Sequence, residues 1–248
     1  MINLKTEKEI QIMREGGKIL AEILKKLFEA VKPGITTNEL EELACELVFS
    51  YKVKGSFLGF EGYPAILCTS LNDEVVHAVP SNRVLEEGDL LKIDMGVLHE
   101  GFHTDSAVTV IVGNMNDTNK RKLIQVTQES LEIGISKAKV GNNLGDIGYA
   151  IQKHIENNGF NVIRDLVGHG IGRELHEEPQ VLNYGKAGQG EKLIAGMVIA
   201  IEPMVVTGKW AIKNGRDGYA FVTKDGGLAA HFEHTVAITE NGPLILTK

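Results

Sequence analysis

The chain has 248 residues, and its 26 lysines and arginines against 33 acidic residues give a formal net charge of −7. This length suffices for a sizeable core, and the acidic balance argues against broad binding to nucleic acid or anionic membranes. Two cysteines, Cys45 and Cys68, provide no disulfide framework. Because there is also no signal-peptide pattern and no apolar run of membrane-spanning length, we expect a soluble, cytoplasmic protein.

The first half of the chain predicts two helices followed by strands. Thr6 and Glu9 form a capping-box pattern before an apolar helical stripe at 10–27, which the sequence KPG at 32–34 ends. A second helix is predicted over 36–47. Three strand-like runs follow, at 65–70 (AILCTS), 89–97 (DLLKIDMGV) and 106–113 (SAVTVIVG).

The pattern then starts again. Two further helices are predicted, at 119–138 and 144–158, and three further strands, at 160–168, 196–206 and 233–242. No low-complexity linker interrupts the chain, so we predict a single domain over 1–248 that is built from two similar halves, roughly 1–113 and 114–248.

Two alignments between the halves indicate an internal repeat. EGDLLKIDMG aligns with AGMVIAIEPM, which matches Asp94 with Glu202. FHTDSAVTV aligns with HFEHTVAIT, which matches Asp105 with Glu233. Any two apolar strands can be aligned with gaps, but an acid falls on an acid in both cases. If the halves pack face to face, each delivers two carboxylates to one interior site.

Four buried carboxylates require cations. A lone strand acid normally points to solvent or pairs with a basic residue, but no Lys or Arg lies immediately beside Asp105, Glu202 or Glu233. Two like charges about 4 Å apart repel by about 4 kcal/mol at an effective dielectric constant near 20. Four such groups would take up protons or unfold the site, whereas two divalent cations would balance their charge.

The glycine-rich segment GHGIGRELHEEP offers nitrogen ligands. His169 lies between two glycines, where the backbone can bend tightly, and His176 follows in the same segment. A surface turn explains an isolated histidine here equally well, but four acids in need of a cation favour His169 as a ligand. Carboxylates with one imidazole and no thiolate suit manganese, iron(II) or cobalt better than structural zinc.

Three motifs carry a resemblance to a known family. GHGIGRELHEEPQV, GMVIAIEPM and HFEHTVAIT, together with Asp94 and Asp105, resemble the type I methionine aminopeptidases over nearly the whole chain. The resemblance implies the α+β pita-bread fold, a curved antiparallel sheet flanked by two helix pairs with an internal pseudo-twofold. It places two divalent metal ions on Asp94, Asp105, His169, Glu202 and Glu233.

The resemblance also implies an activity, the removal of the N-terminal methionine from nascent polypeptides. His77, His176 and Glu202 fall on the catalytic positions. Glu202 is expected to move the proton of the attacking water to the leaving amine. His176 is expected to stabilise the tetrahedral oxyanion, and His77 to contact the scissile nitrogen.

A methionine pocket follows from the same resemblance. Its expected lining, besides His77 and His176, is Phe57, Phe60, Tyr63, Cys68, Leu175 and Tyr219. Relatives often have Cys, Phe and Trp at the positions of Phe57, Leu175 and Tyr219, so the dimensions of the pocket stay open.

Two other functions compete with this interpretation. A proline-specific (Xaa-Pro) peptidase of the same fold usually carries an Arg shortly before the last metal-binding Glu, where this chain has AAHF at 229–232. A non-catalytic pita-bread binding protein would tend to lose metal ligands, and all five are present.

We expect a monomer with no stable nucleic-acid partner. The triplet KRK at 120–122 suggests a transient ribosome contact, although a solvated helix start is the simpler explanation.

Overall fold

The computed structural model describes residues 2–248, and its helices agree with the predicted ones. They are α1 (Glu7–Ala30), α2 (Thr37–Tyr51), α3 (Thr118–Lys137) and α4 (Leu144–Asn157). The capping box before α1 is confirmed, because the Glu9 N–H donates to the Thr6 hydroxyl and the Thr6 N–H donates to the Glu9 carboxylate. Within the described range, none of the helices is both long enough and apolar enough to cross a bilayer.

Residues 2–248 also form fifteen strands, most of them short. They are β1 (Lys54–Gly55), β2 (Leu67–Leu71), β3 (Glu74–Val76), β4 (Leu90–His99), β5 (Phe102–Ile111), β6 (Asn161–Val162), β7 (Gly168–Gly170), β8 (Glu177–Val181), β9 (Val198–Ile201), β10 (Met204–Val206), β11 (Ile212–Asn214), β12 (Phe221–Thr223), β13 (Ala229–His231), β14 (Glu233–Thr239) and β15 (Gly242–Ile245).

Nine of the strands form one antiparallel sheet. Its order is β1-β4-β5-β14-β9-β7-β8, with β2 also paired to β4 and β15 to β14. The two halves of the chain meet at β5 and β14, where Ser106 lies opposite His234. The sequence alignment of the two halves also matches Ser106 with His234. The pairing of β5 with β14 is therefore symmetric about an internal pseudo-twofold axis. Two three-stranded sheets, β13-β10-β6 and β11-β12-β3, complete the fold.

Strand alternation separates the core from the site. On β4, Leu91, Ile93 and Met95 pack in a core with α1 and α2, while Asp94 points to the opposite face of the sheet. A second core joins α3 and α4 to the β9 and β14 side of the sheet. The helices therefore cover one face of the sheet, and the acids lie on the other.

The strand predicted at 106–113 begins four residues earlier, at Phe102, and two other predicted strands differ more in extent. The run 196–206 is split, because Glu202 and Pro203 lie between β9 in the large sheet and β10 in a small one. A proline has no N–H to donate to a sheet ladder. The run 160–168 is mostly irregular, because the chain leaves β6 after Val162 and crosses to β7 in the large sheet.

Candidate active site

The strand register brings the acids of the two halves together. Ala107 on β5 is paired with Asp94 on one side and with Glu233 on the other. Asp105 lies two residues before Ala107 and so points to the same face. The small side chain of Ala107 leaves space between the carboxylates. Glu202 follows directly after β9, the next strand beyond β14.

His169 reaches this cluster from β7. Its Nδ1–H donates to the Gly170 carbonyl at 2.8 Å, which leaves Nε2 with its lone pair free, 3.7 Å from Glu202 Oε1. The flanking glycines are needed for close packing: a Cβ at Gly168 would collide with the Ala200 carbonyl.

The cluster has the properties of a cation site. Ligand atoms of Asp105, His169 and Glu233 all lie within 4.8 Å of one another. Asp94 Oδ1 and Glu233 Oε1 are buried without a hydrogen-bond partner among residues 2–248. Buried carboxylate oxygens without a donor are costly, and a bound metal ion would satisfy them.

Electrostatics supports the same conclusion. Burial raises the pKa of Asp105 to about 7. Burial, followed by repulsion from the neighbouring carboxylates, raises the pKa values of Asp94, Glu202 and Glu233 well above their ordinary values. Burial lowers the pKa of His169 to about 3, so this imidazole is neutral and able to bind a metal at neutral pH. The four carboxylates can ionise together only when positive charge is bound.

One cavity of about 270 Å³ opens above the cluster and contains every site residue expected from the sequence. These residues are Phe57, Phe60, Tyr63, Cys68, His77, Asp94, Asp105, His169, Leu175, His176, Glu202, Tyr219 and Glu233. Three lining residues were not predicted: Glu61, Gly218 and Phe221. Phe221 could have been suspected, since it lies two residues after Tyr219.

Aromatic rings form one wall of the cavity. Tyr63 and Tyr219 meet edge to face, with ring centroids 5.4 Å apart. Phe60 contacts His176 in the same manner at 4.9 Å. The Tyr63 hydroxyl lies 2.9 Å from the Leu67 carbonyl, to which it donates. The wall therefore presents mostly apolar surface.

His77 and His176 lie on the cavity wall above the acids. His77 has a φ of 63°, a left-handed conformation that a residue other than glycine rarely adopts. Such strain is concentrated at functional positions. The His176 ring lies 4.3 Å from the His169 ring, centroid to centroid, so the two imidazoles stand side by side over the carboxylates.

Sequence reasoning assigned no site role to His231. This residue is fully buried, and its Nε2 lies 3.4 Å from Glu202 Oε2, on the side away from His169. Glu202 is thus placed between two imidazoles. The alignment of the halves, which matches His103 with His231, was the only signal for this residue.

Comparisons with known proteins agree with this geometry. Residues 11–240 match the family described as metallopeptidase family M24. A methionine aminopeptidase of Clostridium perfringens is 52% identical over 247 residues, which cover 100% of this chain and 99% of that protein.

Solved structures give the same result. A crystal structure of methionine aminopeptidase from Thermotoga maritima superposes with a TM-score of 0.98 at 47% identity, and the match covers 100% of both chains. A prolidase from Pyrococcus furiosus has a TM-score of 0.79 at 25% identity, and the match covers 99% of this chain but 65% of that one. The pita-bread fold predicted from the sequence is thereby confirmed, and the chain belongs to the methionine aminopeptidases of metallopeptidase family M24.

Proposed function

We propose that this chain hydrolyses the first peptide bond of polypeptides that begin with methionine, using two divalent metal ions. The observation that carries the proposal is the position of the acid and imidazole cluster at the floor of an apolar, aromatic cavity. The expected metal ligands are Asp94, Asp105, His169, Glu202 and Glu233. Four carboxylates match the charge of two divalent ions, and the oxygen-rich donor set suits manganese, iron(II) or cobalt.

The bound ions would supply Lewis-acid activation of a water molecule and of the scissile carbonyl. Glu202 is the proposed proton carrier. Its carboxylate lies in the lining of the cavity, where it can accept a proton from the attacking water and return it to the leaving amine. The Nε2 atoms of His169 and His231 lie 3.7 Å and 3.4 Å from its two oxygens.

The two wall histidines act on the substrate in this proposal. Burial lowers the pKa of His176, so its ring is neutral and can donate one N–H to the tetrahedral oxyanion without carrying a charge. His77 is proposed to contact the scissile nitrogen, and its ring packs against Phe221 with ring centroids 5.8 Å apart.

The aromatic wall is the proposed methionine pocket. Phe57, Tyr63, Cys68 and Leu175 are buried around it. The thioether of methionine is flexible and polarisable, and it packs well against aromatic rings. A charged first residue would lose its hydration there without gaining a partner.

Turnover before and after metal removal tests the proposal. The chelated protein should be inactive on a Met-Gly-Met peptide, and manganese, cobalt or iron(II) should restore its activity. The reconstituted enzyme should cleave Met-Gly-Met much faster than an Xaa-Pro peptide, because residues 229–232 lack the Arg that is usual in the proline-specific enzymes. Turnover by a rigorously metal-free protein, or a preference for the Xaa-Pro peptide, would overturn it.

A monomeric state, a transient ribosome contact and a cytoplasmic location remain predictions from the sequence. The division into halves at 113 and 114 is likewise a prediction.

A further inference from the structure

Glu61 is a charged residue of the cavity wall that the proposed chemistry does not use. It lies in a tight turn between two aromatic wall residues, Phe60 and Tyr63. The turn is closed by its own backbone: the Gly59 N–H donates to the Tyr63 carbonyl at 2.8 Å, and the Tyr63 N–H donates to the Phe60 carbonyl at 2.8 Å. Glu61 therefore belongs to the entrance of the methionine pocket.

The backbone at Glu61 is strained. Its φ is 47°, in the left-handed region that is unfavourable for a glutamate. The turn is also held by a neighbouring wall residue, because the Tyr219 hydroxyl donates to the Gly62 carbonyl at 2.9 Å. A disfavoured conformation that its surroundings hold in place is characteristic of functional positions.

The carboxylate of Glu61 has no internal partner. The side chain is exposed and makes no hydrogen bond or ion pair within residues 2–248, and no Lys or Arg lines the cavity. In the proposed function, the four carboxylates at the floor are balanced by two divalent ions. Glu61 is then the one acid of the lining whose negative charge is not compensated.

The path of a substrate passes this charge. With the methionine side chain in the aromatic pocket and the first peptide bond over the acids, the rest of the peptide must leave through the mouth. Phe60 contacts His176 there, with ring centroids 4.9 Å apart, so the turn that carries Glu61 lies beside the proposed oxyanion donor. The residues that follow methionine come closest to Glu61.

We propose that Glu61 selects substrates by charge, favouring a basic side chain and disfavouring an acidic one at the second residue after the methionine. This inference rests on the proposed function and deepens it. Two charges about 7 Å apart in a largely aqueous environment interact weakly, so the expected preference for a lysine over a glutamate peptide is roughly fivefold in kcat/KM. The preference should weaken as salt screens the charges.

Three amidated peptides test the proposal: Met-Ala-Lys, Met-Ala-Gln and Met-Ala-Glu. The metal-reconstituted enzyme should show kcat/KM in the order Lys, Gln, Glu at about 0.01 M salt, where the screening length is about 30 Å, and a smaller spread at about 1 M salt, where it is about 3 Å. In Glu61→Gln the ratio of the lysine to the glutamate peptide should fall towards one.

Glu100→Gln is a matched control. Glu100 is also exposed, also has a left-handed φ (46°), and does not line the cavity. This variant should keep the wild-type ratio. Equal kcat/KM for the three peptides, or a ratio that Glu61→Gln leaves unchanged, would overturn the role of Glu61 while leaving the proposed function intact. If the enzyme cleaves none of the three peptides, the proposed function is contradicted instead.

Discussion

His169 and His176 show how two identical side chains in one segment acquire different properties. His169 is nearly enclosed, its Nδ1–H is held by the Gly170 carbonyl, and its Nε2 points into the carboxylate cluster. His176 is exposed to the cavity. It is not among the three residues whose ligand atoms lie within 4.8 Å of one another, which are Asp105, His169 and Glu233. We therefore propose metal binding for His169 and substrate contact for His176.

Alanine substitutions separate these roles. His176→Ala should lower kcat by roughly 100- to 1000-fold, the loss expected for an oxyanion donor, and should keep the wild-type metal content. His169→Ala should lower metal affinity itself. Metal content by mass spectrometry and kcat measured on the same preparations check this prediction. Loss of metal in His176→Ala would show that the two assignments are reversed.

At the scale of elements, the segment before α1 helps to hold the turn that carries His176. Lys5 and Glu177 form an ion pair of 2.5 Å, with side chains only 5% and 3% exposed. The other Glu177 oxygen accepts the Arg173 and Glu174 N–H groups. Glu177 thus closes the turn that carries His176, and the ion pair anchors this turn to the beginning of the chain.

Removing one partner of this pair should be more harmful than removing both charges. Lys5→Met leaves a buried carboxylate without its partner, which costs about 3–5 kcal/mol in typical cases. The double variant Lys5→Met/Glu177→Gln should recover part of this loss. Lys8→Met, at an exposed position of α1, is the control and should change stability by less than about 0.5 kcal/mol. Urea unfolding measures all three, and a double variant no more stable than Lys5→Met would contradict the prediction.

At the scale of the whole molecule, the two halves are joined by polar contacts as well as by β5 and β14. The Thr109 hydroxyl donates to the His231 carbonyl at 2.6 Å. Lys92 on β4 is fully buried, and its Nζ donates to the Asn72 carbonyl at 3.0 Å. That carbonyl also accepts the Ala229 N–H from the second half. A buried ammonium group therefore lies where the halves meet.

Lys92 should make stability depend on pH. Burial lowers its pKa from 10.5 to about 7, so the folded state carries the full cost of the charge below about pH 7. Between that pH and 10.5, Lys92 is neutral in the folded state and protonated in the unfolded state, so unfolding takes up a proton. The free energy of unfolding therefore rises with pH in this range. Lys92→Met lacks this pH-dependent contribution. The two carbonyls that accept from Lys92 keep other donors in the variant: the Ala229 N–H donates to the Asn72 carbonyl, and the Asn72 N–H donates to the Leu90 carbonyl.

Lys92→Met should therefore be more stable than the wild type at pH 6, by about 1–4 kcal/mol as for other buried charges replaced by apolar groups. The difference in Tm should shrink as the pH approaches 10. Thermal unfolding from pH 6 to pH 10 measures it, with the exposed Lys18→Met as control. A difference that does not vary with pH would show that Lys92 has the same charge in the folded and unfolded states.

Local pattern in the sequence determined much of this protein. The capping box of Thr6 and Glu9 fixed the beginning of α1, because it depends on residues three positions apart. The repeated pattern matched Asp94 with Glu202 and Asp105 with Glu233, which indicated a site with four carboxylates. The motifs around His169 and His176 indicated the family and its fold, which the comparisons confirmed.

The tertiary structure alone determined the contacts between residues that are far apart in the sequence. It placed Glu61 at the cavity mouth, His231 against Glu202, and Lys5 against Glu177, and no local pattern encodes such pairs. It also divided the run 196–206 between two sheets, since the partner strands, β14 for β9 and β13 for β10, determine which sheet each part joins. Periodicity shows which face of a strand is buried, but only packing shows what lies against that face.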